Sequence, residues 1–380
     1  MPLLLLAGCV RTAEIEPAKP EELRGQGNIK AVFITYYELS NFTKGNDENA
    51  FVSTIKDTFS NLKSKGFNRV SVQVRPCADA FYNSEYYPVS EYFQGEQGSE
   101  LIYDPLEIMC EKAHAVGLSV EAWINPYRVS QDNNTDKMSK DNFALKLKDT
   151  EGLILLDSGI YFNPADEKVI KLITDGAAEI AEKYPVDSIC FDDYFYPTKD
   201  KSIDKKYYKS YKKKGGKLKL SDWRRDNVSR MVKSVYNAVK EKNPAVTFGI
   251  SPACSIENNY SVLYADVEKW VTESGYVDYI CPQVYFGFKN ETQPFMKSVK
   301  RWYRLADCDL MIALPLYKAG KSDKYAGSGK DEFLKNDDIV SRQVTYISKL
   351  KGIKGFYVFS YSSLSDNAEC ENLYSAMQNS

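Results

Sequence analysis

The feature that most constrains this chain is a repeated alternation. From residue 29 onward, a short β-branched or aromatic run is followed by a longer helical stretch, and the pattern recurs eight times. The runs are KAVFITYY, RVSVQVR, LSVEAWIN, VDSICFDDY, VTFGISP, VDYICPQVY, LMIALPLY and GFYVFSY. Between them lie stretches such as NAFVSTIKDTFSNLKSKG, DPLEIMCEKAHAVG, DEKVIKLITDGAAEIAEKY and SDWRRDNVSRMVKSVYNAVKEKN. Several close on Gly66, Gly117 or Asn243, residue types that terminate helices. Alternating strands and helices build parallel sheets, and eight such units with no second composition regime close into a barrel. The expected fold is α/β, a single-domain (β/α)8 TIM barrel over residues 29–380 with long βα loops. The last helix is expected in DNAECENLYSAMQ.

Residues 1–28 read differently. The opening MPLLLLAGC has the form of a bacterial lipobox, with Cys9 as the lipidated residue. Its apolar run is too short to span a bilayer, and the basic n-region is missing, so a chance apolar start is the alternative. The polar RTAEIEPAKPEELRGQGN that follows suits a tether. This reading places the protein outside the cytoplasm, anchored to the bacterial membrane through lipid or secreted.

Composition removes several classes of function. The net charge of −2 gives no global basic field for nucleic acid. The one histidine, His114, makes a multi-histidine zinc site impossible and leaves one option for a Ser-His-Asp triad. His114 itself sits near a helix C-terminus, where a cation complements the dipole. Eight cysteines include no C-x-x-C pair. The GGK at Gly215 lacks the spacing of a phosphate loop. No metal and no cofactor are expected.

Three long connections follow strands, at 76–103, 126–164 and 195–220. In a barrel these lie on the C-terminal face, where active sites are built. The third contains ten lysines. It reads as a solvated flap or as a contact for an anionic polymer.

Strand side chains alternate faces, so parity sorts them. Val70, Val72 and Val74 on one side leave Ser71, Gln73 and Arg75 for the lumen. Likewise Glu121, Trp123 and Asn125 point inward on the third strand, and Ser188, Cys190 and Asp192 on the fourth. Ser251 on the fifth and Cys281, Gln283 and Tyr285 on the sixth complete the set. Parity is unclear for strands one, seven and eight. A structural lumen would favour Val, Ile and Leu, because buried polar groups require partners. A lumen holding Arg75, Glu121, Asn125, Asp192, Ser251 and Gln283 reads as an active site, with an internal ion-pair network as the alternative. Asp193 falls at the strand end, where a kink would turn it onto the rim.

These segments resemble the glycosyl hydrolase-like 10 family of bacterial (β/α)8 proteins. The resemblance runs from about Lys30 to Leu364. It rests on VQVRPCADAFYNSEYYPVS, DPLEIMCEKAHAVGLSVEAWINPYRV, YFNPADEKV, VDSICFDDYFYP, FGISP, DYICPQVYF and GFYVFSYSSL. In the family pattern the fourth strand usually reads DGIHFDDYFYP, so Cys190 stands where histidine is common. The spacing Asp187-x-x-Cys190-x-Asp192-x-Tyr194 is also similar to the D-x-x-D-x-D-x-E strand of chitinase-like barrels. Tyr194 replaces the final Glu, which argues against the substrate-assisted chitinase mechanism.

The resemblance implies a glycoside hydrolase acting on bacterial cell-wall glycan, such as peptidoglycan strands, or a related polysaccharide. Such chemistry usually needs two carboxyl groups, one acid and one base or nucleophile. The expected acid is Asp192 or Asp193, and the second carboxylate is the other Asp or Glu121. Arg75 is expected to orient a carboxylate or contact sugar. Asn125, Ser251, Gln283 and Tyr285 are candidate hydroxyl ligands. Trp123, Tyr194, Tyr196 and Tyr317 are candidate stacking surfaces, and Tyr127 and Arg128 of NPYRV are further substrate contacts. Two other readings stay open: a non-catalytic surface carbohydrate-binding barrel, and a polysaccharide deacetylase or amidase.

Overall fold

The computed structural model describes residues 28–379. Eight parallel strands close a barrel: β1 (Ile29–Ile34), β2 (Arg69–Arg75), β3 (Ser119–Ile124), β7 (Ser188–Phe191), β8 (Thr247–Ile250), β9 (Tyr279–Ile280), β10 (Asp309–Leu314) and β11 (Ile353–Val358). Pairing of β1 with β11, Ile29 opposite Gly355, completes the ring. The intervening β4 (Arg128–Ser130), β5 (Leu153–Leu156) and β6 (Gly159–Phe162) form a separate three-stranded antiparallel sheet. That sheet is the long connection after β3, folded back on itself. All eight runs in the sequence are therefore barrel strands, as expected.

Two cores follow from strand alternation. The larger lies between barrel and helices and takes Val32, Ile34, Val70, Val72, Ile189, Phe248 and Ile312. The smaller fills the lumen with Ala31, Phe33, Trp123, Tyr279, Cys281, Met311, Ala313 and Tyr357. Cys190 and Cys281 are buried, free thiols acting as small apolar groups. His114 is held by Asp187, Nε2 to Oδ2 at 2.9 Å, on the helix side of the barrel.

Strand alternation fails at one informative place. The pairing of β2 with β3 slips between Gln73 and Arg75, so that Arg75 lies opposite outward-facing Ile124. This bulge corrects the parity assignment: Arg75 faces the helices instead of the lumen. Its guanidinium stacks on Tyr87, 4.2 Å from the ring centroid. Gly176, on the helix Glu167–Lys183, leaves the necessary slot, since a Cβ there would sit 2.6 Å from Arg75 Nη1.

Deep in the lumen, Glu121 is the centre of a polar cluster. Ser71 donates to Oε1 at 2.7 Å, and Tyr357 donates to Oε2 at 2.8 Å. The Tyr279 hydroxyl also donates to Oε2. Arg69 Nη1 lies 3.6 Å from Oε2 and donates to the Tyr357 hydroxyl at 3.1 Å. Gly249 makes room for the Tyr279 ring, which a Cβ would meet at 2.2 Å. Of the two alternatives for a polar lumen, an ion-pair network is what surrounds Glu121, with Arg69 as its cation.

Candidate active site

Above this floor the lumen opens at the C-terminal ends of the strands. A cavity of about 340 Å³ lies there, walled by Phe33, Trp123, Tyr285 and Phe359 and bearing both Asp192 and Asp193. A larger hollow of about 780 Å³ lies on the helix Phe295–Leu305, lined by apolar and basic side chains with Glu268 as its carboxylate. Paired carboxyl groups and strand-end position single out the smaller one.

Asp192 follows β7 directly. Its Oδ2 accepts from Trp123 Nε1 at 2.9 Å, and its Oδ1 accepts from the Tyr194 N–H at 3.4 Å. Burial and the neighbouring Asp193 carboxylate raise its pKa to about 7, against the opposing pull of Arg128 and of those two N–H groups. Asp193 is half-buried, and burial raises its pKa as well. Gln283 Nε2 donates to its Oδ1 at 3.2 Å and to the Ser251 carbonyl at 3.0 Å. The strand ends at Phe191, so the kink needed to bring both acids to one cavity is present.

The walls are aromatic. Phe359 is their hub, with ring centroids 5.8 Å from Phe33, 5.6 Å from Tyr285 and 5.9 Å from Tyr317. On the rim, the Arg128 guanidinium lies 5.0 Å from the Tyr194 ring and 5.8 Å from that of Tyr36. Tyr37 and Tyr194 are exposed, at 55% and 46%. Flat apolar faces beside hydrogen-bonding edges suit a sugar ring. Ser251 lines the same cavity, and its Oγ is buried with no hydrogen-bond partner among the described residues. An unsatisfied hydroxyl on a cavity-lining residue needs only a side-chain rotation to meet a substrate polar group.

The expected site residues thus divide. Asp192, Asp193, Trp123, Arg128, Tyr194, Ser251, Gln283 and Tyr285 share the cavity. Tyr317 backs it through the Tyr285 ring at 5.8 Å. Asn125 lies behind it, its Oδ1 accepting from the Arg128 N–H at 3.2 Å. Tyr127 and Tyr196 are fully buried under the loops, so neither ring can stack on a ligand. Tyr196 instead lies against Arg224, 5.2 Å from ring centroid to guanidinium. Arg75 is behind the barrel wall and Glu121 is in the floor cluster. Cys9 lies outside the described residues.

Phe33, Tyr36, Tyr37, Gln73 and Phe359 line the cavity without having been marked as site residues. Gln73 was legible as a lumen residue. Phe33 belongs to β1 and Phe359 directly follows β11, strands with apolar residues on both faces, and barrel closure rather than alternation identifies the inner one.

Barrel, strand-end cavity and carboxyl pair together place the chain in the class of (β/α)8 proteins built like glycoside hydrolases. Among solved structures it resembles the PgaB (BpsB) glycoside hydrolase domain of Bordetella bronchiseptica, with a TM-score of 0.58 at 11% identity over 92% of this chain and 99% of that one. The β-amylase catalytic domain of Paenibacillus polymyxa is similar at TM-score 0.57, with 9% identity over 92% and 98% of the two chains. Within that class the chain belongs to the glycosyl hydrolase-like 10 family, whose sequence profile matches residues 28–325. Glycosyl hydrolase YngK of Bacillus subtilis (strain 168) is 34% identical over 80% of this chain and 62% of its own length. Glycosyl hydrolase DigH of Escherichia coli (strain K12) is 32% identical over 70% of this chain and 66% of its own. The chain therefore spans less than two thirds of either relative.

Proposed function

We propose that this barrel cleaves glycosidic bonds in bacterial cell-wall glycan, peptidoglycan strands in particular, using Asp192 and Asp193. The observation that carries the reading is the pair of adjacent carboxyl groups at the cavity, one with its pKa raised to about 7. A carboxyl group that retains its proton near neutrality can deliver it to a departing glycosidic oxygen. In this mechanism Asp192 is the acid that protonates the departing oxygen, and Asp193 is the second carboxylate, which supports the incoming bond at the sugar carbon as base or nucleophile, so that water finally replaces the departing group. Gln283 fixes Asp193, and Trp123 fixes Asp192. General acid help of this kind contributes about 10²–10⁴ in rate. Phe33, Tyr285 and Phe359 hold the sugar faces, and Ser251 hydrogen-bonds a hydroxyl.

The test is incubation with intact and peptide-stripped peptidoglycan, followed by mass spectrometry of released fragments. New reducing ends are expected, with Asp192→Asn and Asp193→Asn each slowed by at least about a hundredfold. No product would mean a binding barrel, and deacetylated strands sensitive to chelators would mean a deacetylase. The same reading places the protein on the cell exterior through lipid on Cys9, carried by the LAGC sequence. Metabolic labelling with a fatty-acid analogue, lost in Cys9→Ala, checks it.

A further inference from the structure

The lysine-rich connection after β7 is not a loose flap. Its middle is a helix, Lys205–Lys213, with a seated inner face. Tyr208 and Tyr211 pack on Trp223, with ring centroids 5.2 and 5.8 Å away. Tyr207 donates to Asp166 Oδ2 at 2.5 Å, and the Lys206 N–H donates to Glu151 Oε2 at 3.0 Å. Behind it, Arg224 clamps Asp204 with Nε–Oδ2 and Nη2–Oδ1 contacts of 2.7 and 2.8 Å. The same arginine holds the carbonyls of Lys199 and Asp200.

The outer face is uncompensated. All ten lysines between 199 and 219 are exposed. Only Lys206 has an ion pair among the described residues, with Glu151 at 3.4 Å. Ten lysines and two aspartates give this segment a net charge of +8, so the remainder of the chain, at −2 overall, carries −10. Lys205, Lys209 and Lys213 repeat at i, i+4, where like charges destabilise a helix. They line about 12 Å of helix at 1.5 Å per residue. A seated helix that concentrates repulsion on its open face is matched to a partner of opposite charge.

The patch also adjoins the cavity. Lys199 follows Tyr194 of the cavity rim by five residues, a reach of at most about 18 Å. The connection rests on the β4–β6 sheet through Asn163, whose Nδ2 donates to the Ile203 carbonyl at 2.8 Å. Arg128, at the start of that sheet, lines the cavity.

We propose that the exposed face of helix Lys205–Lys213 and its flanks is a docking surface for the substrate strand itself, a glycan carrying carboxylates along its length. It rests on the reading that the cavity takes glycan. One strand seated in the cavity reaches the patch, while the remainder of the chain carries a net negative charge. The surface acts on long anionic strands and not on short neutral ones.

The experiment measures binding by the full chain carrying Asp192→Asn. The probes are peptide-free peptidoglycan strands, the same strands with carboxylates converted to methylamides, and poly(glycerol phosphate). Changing Lys205, Lys209, Lys212 and Lys213 to Gln is expected to weaken strand binding roughly tenfold, as four modest surface charge contacts combine. Amidation of the strand should weaken it equally, and added salt should erase both differences. Changing Lys56, Lys297, Lys300 and Lys349 to Gln, elsewhere on the surface, should leave binding unchanged. Equal binding by the patch variant, or undiminished binding of amidated strands, overturns the proposal. Preference for poly(glycerol phosphate) over the strands overturns it too, in favour of a phosphate polymer. Turnover by the chain with Asp192 intact is scored separately, so loss of the cleavage reading and loss of the docking surface appear as different results.

Discussion

At the residue scale, the consequential group is Asp192. Its proton is active when present, so kcat/KM on glycan fragments is expected to fall as pH rises through about 7. The Trp123 N–H favours the carboxylate. Removing it in Trp123→Phe should push the pKa further up, moving that alkaline limb higher by about one unit. A pH–rate profile of both proteins reads the shift; a limb that stays in place rules out Asp192 as its source. The same residue bears on stability. Unfolded, an Asp titrates near 4; folded, this one titrates at about 7. Between those values the folded state keeps a proton that the unfolded state releases, so its contribution becomes less favourable as pH rises and is fully unfavourable above 7. Asp192→Asn is therefore expected to be the more stable protein at pH 8, by about 1–4 kcal/mol, and no more stable at pH 3.5. Urea unfolding at the two pH values checks it.

At the element scale, legibility follows how local the cause of each element is. Eight strands were readable because β-branched runs encode them directly. Yet VDYICPQVY is a nine-residue run in which only Tyr279–Ile280 forms a continuous strand. Pro282 lacks an N–H for the ladder, and Gln283 rejoins it only through single bridges to Ala253 and Ala313. The β2 bulge was hidden because alternation assumes a regular strand, and the site assigned to Arg75 went with it. The small β4–β6 sheet was hidden by strands of three or four residues. KKYYKSYKK carries little helical signal of its own, and the packing of its tyrosines on Trp223 supplies what the local sequence lacks. Of the site, Asp192 and the inward set of β3, β8 and β9 were readable by parity, whereas Asp193 joins them only because the strand ends at Phe191. The aromatic walls from β1 and β11 were not, because closure of the ring is a property of the whole sheet. The Asp204–Arg224 clamp tests how the lysine helix is held. Both side chains are fully buried, so Asp204→Ala leaves a buried guanidinium unpaired. It should destabilise the protein by about 3–5 kcal/mol. Limited proteolysis should then cut within 199–219 first.

At the scale of the whole molecule, the Glu121 cluster joins β2, β3, β9 and β11 across the lumen. Its place in the floor makes it part of barrel closure. Glu121→Ala leaves Arg69 buried without its carboxylate and is expected to lower stability by about 3–5 kcal/mol. Turnover per folded molecule should remain within a few-fold of the parent, because neither carboxyl group at the cavity is touched. Thermal unfolding measured beside active-fraction kinetics separates the two effects, and a hundredfold loss of turnover in folded protein would return Glu121 to the reaction.

The pairing of Ile29 with Gly355 has a consequence for how the molecule faces its surroundings. β1 enters the ring at the end opposite the cavity, and Lys30 Nζ reaches the Met377 carbonyl in the last helix, so both ends of the described chain leave through the base. Anything attached ahead of residue 29, whether a lipid, a resin or a fused protein, therefore joins the barrel at the end away from its mouth and leaves the cavity clear of the junction.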